Sequence, residues 1–171
     1  MSGYTVPYIV AVSGVKNSGK TTFSERLIPC LRRRGWAVAV IKHDGHGFEP
    51  DVPGTDSFRL RAAGAAGIAV YSDDRWMVVR EEPGNLEKLI GQFADFDIVL
   101  LEGQKYSSYP KIELVRGGVS EAAVCDPATL LAIATDTDCP LPAPGIKRIG
   151  LTDYERAAGI IEAAFQKERN E

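Results

Sequence analysis

A glycine-rich turn of fixed spacing lies near the start of the chain, at residues 14–21. Its sequence, GVKNSGKT, matches the P-loop pattern G-x-x-x-x-G-K-[ST]. In such a loop, backbone N–H groups point into one concavity that holds phosphates, at the start of a helix. The flanking segments agree, because the apolar run 8–13 precedes the loop and an amphipathic helix is expected from Lys20 onward. The motif therefore predicts a site that binds a nucleoside triphosphate.

Separate roles are predicted for individual positions of this loop. Lys20 is expected to reach the β- and γ-phosphates, and Thr21 to place its hydroxyl on Mg²⁺. Lys16 is a second lysine in the loop, and two interpretations stay open for it: a contact across a dimer interface, or a side chain in solvent. The predicted nucleotide-binding residues of this segment are Gly14, Val15, Lys16, Asn17, Ser18, Gly19, Lys20, Thr21 and Thr22.

Buried strands alternate with helices along the rest of the chain. The expected strands are 8–13, 36–41, 97–101, 111–115, 130–135 and 146–151. The expected helices are 20–34, 55–66, 85–93 and a final one that opens with a capping box at 152–155. Residues 67–71 and 76–80 are expected to form a hairpin. The pattern predicts one α/β domain over residues 1–171, a three-layer P-loop sandwich with a mostly parallel sheet and an antiparallel edge hairpin.

Acidic residues follow several of these strands, at the edge where parallel sheets bind ligands. Glu102 follows the run 97–101 as in a Walker B strand, where a carboxylate holds Mg²⁺ through water. Asp44 is predicted to be a second carboxylate on the Mg²⁺ side or a group that orients water. Asp136 is either an acceptor for guanine N1–H and the 2-amino group, which would reject adenine, or a capping or surface residue. The predicted metal-site residues are Thr21, Asp44 and Glu102, and the catalytic candidates are Asp44 and Glu102.

Composition and charge exclude several classes of function. The formal net charge is −3, which gives no reason to expect nucleic acid or an anionic membrane as a partner. The 3 cysteines are far apart in the sequence, so neither a disulfide framework nor a metal-binding pair is expected. No run approaches the roughly 18 apolar residues that cross a membrane, and residues 1–7 do not resemble a signal peptide. We therefore expect a reduced, soluble, cytoplasmic protein.

Taken together in their order and spacing, these segments resemble the molybdopterin-guanine dinucleotide biosynthesis adapter proteins, the MobB family. The resemblance runs through nearly the whole chain. One departure is Gln104, at a position where an aromatic residue is expected. The residues that carry the resemblance are Gly14–Thr22, Leu27-Ile28-Pro29, Lys42-His43-Asp44 with His46, Pro53-Gly54, Asp56-Ser57, Arg59, Ala63-Gly64-Ala65, Leu101-Glu102-Gly103 with Lys105, Pro110-Lys111-Ile112-Glu113 and Ala134-Thr135-Asp136.

The resemblance implies a GTP-binding adapter, usually a homodimer, with at most weak GTPase activity. Such a protein would assist the guanylyltransferase that joins GMP to molybdenum-bound molybdopterin. Molybdopterin and the molybdenum-insertion protein are further candidate partners. The resemblance further implies that the P-loop and Asp136 hold GTP, and that Asp44 and Glu102 manage Mg²⁺ and water. The candidate contacts with phosphate or a partner are Asp56, Arg59 and Arg61.

Two other functions remain open on the residues alone. A P-loop kinase for a small molecule usually has an arginine-bearing lid, and the late half of the chain offers only Arg116 for that role. A metallochaperone GTPase would require a Cys/His cluster, for which His43 and His46 are a thin basis. Both features favour the adapter.

Overall fold

The computed structural model, which describes residues 6–170, divides the chain into two compact units. The first contains the chain up to His43 and again from Lys88 onward, and the second contains Asp44–Glu87. The single domain that the sequence predicts over residues 1–171 stays a prediction.

Eight strands, four α-helices and one 3₁₀ turn, at Pro127–Thr129, make up the regular structure of residues 6–170. The strands are β1 (Tyr8–Gly14), β2 (Val38–Lys42), β3 (Gly67–Tyr71), β4 (Trp76–Arg80), β5 (Ile98–Glu102), β6 (Lys111–Val115), β7 (Leu130–Thr135) and β8 (Lys147–Ile149). The helices are α1 (Lys20–Arg33), α2 (Asp56–Ala62), α3 (Leu86–Gly91) and α4 (Tyr154–Asn170).

The first unit is built on a six-stranded sheet in the order β2-β5-β1-β6-β7-β8, in which every neighbouring pair is parallel. β1 is apolar from Tyr8 to Val12 and β5 from Ile98 to Leu101, because both faces of a parallel sheet are covered. β1 lies between β5 and β6, with Val12 beside Glu102 and Gly14 beside Leu114. The residues that follow β5 and β6 therefore flank the loop that follows β1. The mostly parallel α/β fold predicted from the sequence is confirmed.

The hairpin of β3 and β4 differs from the prediction in one respect. It does not extend the main sheet but forms a two-stranded antiparallel sheet of its own, within the second unit. All 5 positions of β3 pair with β4, from Gly67 with Arg80 to Tyr71 with Trp76. A hairpin pattern predicts that two strands pair with each other, but it carries no information about which sheet they join.

Helix α2 is shorter than the predicted helix 55–66. The Thr55 hydroxyl caps its start by accepting from the Phe58 N–H at 3.3 Å. Its end comes early because Gly64 takes a left-handed conformation, with φ of 104°, and its N–H donates to the Arg61 carbonyl at 2.8 Å. That geometry is a common C-terminal stop for helices.

Helices α1 and α4 pack together on one face of the main sheet. Phe23, Leu27 and Leu31, which recur every four residues along α1, are buried there. On α4, Phe165 stacks on Tyr8 of β1 with ring centroids 5.4 Å apart. This helical layer is the main hydrophobic core, and it fixes the position of α1 directly after the loop.

The predicted capping box at the start of α4 is absent from the structure. Asp153 takes the N-cap position, because its carbonyl accepts from the Ala157 N–H at 2.9 Å, but its carboxylate turns away from the helix and accepts from the Gly150 N–H at 2.9 Å. The Glu155 carboxylate, which a capping box would turn back toward Thr152, instead accepts from Arg33 and Arg34 of α1. Glu155 therefore pairs with arginines at the end of α1 and not with the backbone at Thr152. The spacing of residues 152–155 could not predict this, because the arginines come from a distant segment.

Loops rather than a helix cover the opposite face of the sheet around β7. Their buried residues form a second apolar cluster with the strands. Its members are Val115, Cys125, Leu130, Ile133, Cys139 and Ile146. All three cysteines of the chain, Cys30, Cys125 and Cys139, are buried and free.

Cys125 gives this cluster a predictable response to pH. Burial, helped by the nearby Glu113 carboxylate, raises the pKa of the Cys125 thiol from 9.0 to about 12. The folded protein thus keeps a proton that the unfolded chain loses above pH 9, so this contribution to stability is full below pH 9 and is lost between pH 9 and pH 12. We expect Cys125→Ala to lower the unfolding free energy at pH 7, but to flatten its decline above pH 9.

Urea unfolding at stepped pH from 7 to 11 measures this difference in slope. Tyr8, whose pKa burial also raises, contributes the same alkaline loss to both proteins and so serves as an internal control. Parallel pH profiles for the two proteins would contradict the prediction.

Candidate functional site

The loop between β1 and α1 holds a conformation that its residue types make possible. Gly14 has φ of 138°, and a Cβ there would lie 2.7 Å from the Leu114 carbonyl oxygen and 2.7 Å from the Ser18 hydroxyl. Asn17 and Gly19 also have positive φ, 65° and 96°. The hydroxyl of Ser18, which is 1% exposed, has no hydrogen-bond partner within the described residues. The loop is therefore tightly folded against the end of β6 and contains one unsatisfied polar group.

The first turn of α1 leaves its N–H groups available. Helix α1 starts at Lys20, directly after Gly19, which has no side chain to cap it. The first intrahelical bond runs from the Phe23 N–H to the Gly19 carbonyl, at 2.9 Å. The N–H groups of the preceding turn have no partner inside the helix, and the helix dipole adds positive potential at the same point. This arrangement suits an anion.

Lys20 extends back over the loop that precedes it. Its Nζ donates to the Val15 carbonyl at 2.7 Å and to the Gly14 carbonyl at 3.3 Å. Burial is the largest influence on the pKa of Lys20 and lowers it. The Glu102 carboxylate raises this pKa, and the ammonium groups of Lys105 and Lys42 lower it. Two further lysines thus add positive charge around Lys20, and a polyphosphate would neutralise that charge.

Two of the three predicted metal-site residues lie in direct contact. The Thr21 hydroxyl donates to Oε1 of Glu102 at 2.9 Å. Glu102 is 8% exposed, and the Lys42 ammonium lies 3.8 Å from the same oxygen. A hydroxyl and a carboxylate oxygen are the ligand types that Mg²⁺ accepts alongside water and phosphate oxygens. The donor set therefore fits Mg²⁺, and the metal role of Thr21 and Glu102 stays a prediction.

The turn after β5 lines a cavity beside the loop. Gly103 and Gln104 both have positive φ, 102° and 53°, and the Gly103 N–H donates to the Val12 carbonyl at 2.9 Å. The Ser13 hydroxyl donates to the Gly103 carbonyl. The cavity, of about 540 Å³, is lined by this turn and by neighbouring side chains. Its lining residues include Gly14, His43, Gln104, Lys105, Tyr106 and Ser107.

The turn at residues 104–107 was not predicted from the sequence to belong to the site. Lys105 appeared only among the residues that carry the family resemblance, with no role of its own. Its Nζ lies 4.9 Å from the centroid of the Tyr106 ring. An aromatic residue beside a lysine, directly after a Walker B strand, is the signal that could have identified it.

Two buried charges on β6 hold the surrounding loops. Lys111 is fully buried, and its Nζ donates to the Ser107 carbonyl at 2.6 Å and to the Thr129 hydroxyl at 3.1 Å. The Glu113 carboxylate accepts from the N–H groups of residues 124 and 125, at 2.7 and 3.0 Å. Burial lowers the pKa of Lys111. Lys111 therefore supports the cavity-lining turn at Ser107 from inside the protein, and Glu113 supports a separate loop at residues 124 and 125.

Asp136 follows β7 and is held by the turn after β6. Its Oδ1 accepts from the Gly117 N–H at 2.7 Å. A Cβ on Gly117 would lie 3.1 Å from the Thr137 methyl group and 3.5 Å from the Asp136 carboxylate, so the small residue permits this approach. The carboxylate is thus oriented at the same edge of the sheet as the loop. Its guanine-binding role stays a prediction.

The other predicted residues belong to the second unit. The Asp44 carboxylate accepts from the His46 N–H at 2.9 Å in an exposed turn. Asp56 and Arg59 are exposed, and Nη1 of Arg59 lies 3.4 Å from Oδ1 of Asp56. The guanidinium of Arg61 pairs with Glu49 at 2.6 Å and with Glu81 at 2.8 Å.

Arg61 therefore forms ion pairs inside the second unit, so its charge is already neutralised by carboxylates. Its side chain is only 12% exposed, beside a cavity of about 580 Å³ in the same unit. Arg59 is the more accessible of the two arginines. The roles predicted for Asp44, Asp56, Arg59 and Arg61 stay predictions.

Within residues 6–170, no cluster of three or more His, Cys, Asp or Glu side chains could bind a metal ion by itself. Across the same residues, no helix has the length and apolar character needed to span a membrane.

A comparison with protein families and known proteins gives consistent matches. The family described as Molybdopterin guanine dinucleotide synthesis protein B matches residues 9–136. The molybdopterin-guanine dinucleotide biosynthesis adapter protein of Escherichia coli K12 is 34% identical, over 98% of this chain and 99% of that protein. The protein with the same description from Haemophilus influenzae is 37% identical, over 75% of this chain and 74% of its own length.

A solved structure agrees with the sequence matches. The crystal structure of Bacillus subtilis MobB superposes with a TM-score of 0.71 at 30% identity, and the alignment covers 91% of this chain and 96% of that one.

Proposed function

The chain belongs to the MobB family, the adapter proteins of molybdopterin guanine dinucleotide biosynthesis, and we propose that it acts by holding GTP with Mg²⁺ in the loop between β1 and α1. Its partner would be the guanylyltransferase that joins GMP to molybdopterin. Molybdopterin, the molybdenum-insertion protein and a second copy of the chain are further proposed partners, and the proposed location is the cytoplasm.

The observation that carries the proposal is the convergence of Lys20, Thr21 and Glu102. The lysine lies over the loop carbonyls, and the hydroxyl and carboxylate are 2.9 Å apart at the start of α1. Phosphate oxygens would accept from the uncapped N–H groups of α1, and the bound Mg²⁺ would neutralise phosphate charge. In this proposal Asp136 accepts from the guanine base.

Slow hydrolysis fits the surroundings of Glu102. Its Oε1 already accepts from Thr21, and Lys42 lies 3.8 Å away. A carboxylate engaged in this way is suited to orienting a metal and its water, and poorly suited to taking a proton from an attacking water. We propose that hydrolysis is at most a weak side activity, and that Asp44 takes part on the metal side.

Competition binding tests the nucleotide and its base. We expect GTP to displace labelled GTP at a concentration roughly a hundredfold lower than ATP, because ATP would leave the Asp136 carboxylate without a donor. Asp136→Asn should reduce that preference, since it replaces one acceptor oxygen by a donor. Asp138→Asn, two residues further along and also exposed, is the matched control and should bind as the wild type does. Equal displacement by ATP and GTP would remove Asp136 from its proposed role.

Incubating the wild-type protein with GTP and Mg²⁺ alone tests whether it is an adapter or an efficient enzyme. We expect phosphate release far slower than typical enzyme turnover, which is about 10 per second. A rate near that value would contradict the adapter proposal.

A further inference from the structure

We propose that Arg116 binds the phosphates nearest the nucleoside, as a cation that directly follows β6 and lies outside the P-loop. The inference rests on the proposed nucleotide site and adds to it a residue outside the motif. It places the side chain at the α- and β-phosphates and away from the γ-phosphate.

Arg116 reaches the P-loop because its strand is the neighbour of β1. β6 ends at Val115, one residue before it, and the end of β6 pairs with the end of β1, Leu114 beside Gly14. The Nη1 atom of Arg116 lies 3.5 Å from the point at which a Cβ on Gly19 would stand. Gly19 is the residue that directly precedes α1. The guanidinium therefore lies against the positive end of that helix.

The backbone of Arg116 is fixed by its own turn. Its carbonyl accepts from the N–H groups of Val119 and Ser120, at 3.0 and 2.9 Å. Its N–H donates to the Ser120 hydroxyl at 3.2 Å. The side chain therefore starts from a defined point, which lowers the entropy lost when it binds a ligand.

The charge of Arg116 is not neutralised within the described residues. No ion pair or side-chain hydrogen bond of its guanidinium occurs in residues 6–170, whereas Arg33, Arg34 and Arg61 all pair with carboxylates. A cation at a helix N-terminus is repelled by the helix dipole. An anion between the guanidinium and the helix would turn this repulsion into two attractions, and a phosphate provides bidentate acceptors for arginine.

The order of the strands indicates which phosphates Arg116 meets. Thr21, Lys42 and Glu102 lie on the β5 side of β1, where the proposed Mg²⁺ would bridge the β- and γ-phosphates. Arg116 follows β6 on the other side of β1. The next residue, Gly117, binds the Asp136 carboxylate, which is the proposed contact of the base. Arg116 is thus between the base and the metal, at the nucleoside end of the phosphate chain.

Nucleotide binding by Arg116→Gln and Arg116→Lys tests this placement. We expect Arg116→Gln to weaken GTP and GDP equally, by about tenfold or more, and to leave guanosine binding unchanged. Arg116→Lys should lose less, since it keeps the charge but not the bidentate geometry. Arg32→Gln, which removes an arginine from the last turn of α1, is the charge-matched control.

Each result decides a separate question. Unchanged GDP affinity in Arg116→Gln, beside normal wild-type binding, overturns this inference and leaves the proposed function in place. A loss confined to GTP, or an equal loss for guanosine, also overturns it, because the side chain would then act at the γ-phosphate or through the base. If the wild type binds neither GTP nor GDP, the proposed function fails and takes this inference with it.

Discussion

Replacing Lys20 with alanine is expected to weaken GTP binding by about a hundredfold or more. The ammonium lies 2.7 Å from the Val15 carbonyl and 3.3 Å from the Gly14 carbonyl, poised where phosphates would enter the loop. Removing a charged hydrogen bond to a ligand costs about 1.5–3 kcal/mol, and the lysine is expected to meet two phosphates. Isothermal titration with GTP and Mg²⁺ measures the loss.

Lys20→Ala is expected to fold as the wild type does, because the Lys20 side chain is only partly buried. Burial lowers the pKa of Lys20, so burying its charged form opposes folding and its removal should not destabilise the protein. A thermal unfolding midpoint close to that of the wild type would show that the loss is local to the ligand. Lys147→Ala, which removes one exposed lysine from the edge strand β8, controls for net charge and should bind GTP normally. Tight GTP binding by Lys20→Ala would mean that the loop is not the nucleotide site.

Gly14→Ala is expected to destabilise the protein by roughly 3 kcal/mol and to abolish nucleotide binding. The new methyl group would lie 2.7 Å from the Leu114 carbonyl oxygen, which is backbone and cannot rotate away. It would also force an L-residue into φ of 138°. Relief of either strain requires the loop to move away from β6, and the N–H groups that face the phosphates would move with it.

Gly35→Ala is the control that separates the cost of a positive φ from the cost of the steric clash with Leu114. Gly35 also has positive φ, 92°, but a Cβ there has no heavy atom within 4 Å. We expect a cost of about 1 kcal/mol and unchanged nucleotide affinity. Urea unfolding of both variants gives the comparison. A loss of stability in Gly14→Ala no larger than that in Gly35→Ala would contradict the close approach of the loop to Leu114.

Local patterns were sufficient to predict most elements of the fold. The strands Lys111–Val115 and Leu130–Thr135 were predicted with the bounds that the structure gives them. Leu130–Thr135 is an apolar run that ends in a β-branched residue, whereas Lys111–Val115 alternates charged and apolar residues over its first four positions. The P-loop was predictable because a phosphate cradle requires fixed residue types at fixed spacing. The contact of Thr21 with Glu102 was implied by two motifs at the same edge of the sheet.

Contacts between distant segments were not predictable in this way. Lysines are almost never fully buried, so the residue type of Lys111 gives no indication of its place in the core. Arg116 lies in a polar, glycine-containing stretch that resembles any surface turn. Its proximity to Gly19 arises only because β6 pairs with β1. Glu155 likewise pairs with Arg33 of α1 and does not form the predicted capping box.

The second unit, Asp44–Glu87, separates β2 from β5, although these strands are direct neighbours in the sheet. Their pairing closes a long loop of chain, and the entropy lost in closing a loop grows only with the logarithm of its length. Each doubling adds about 0.6 kcal/mol, so even a fourfold longer connection costs about 1 kcal/mol. An insertion after β2 therefore adds little to the entropy lost on folding. It also leaves the order of the strands around the P-loop unchanged.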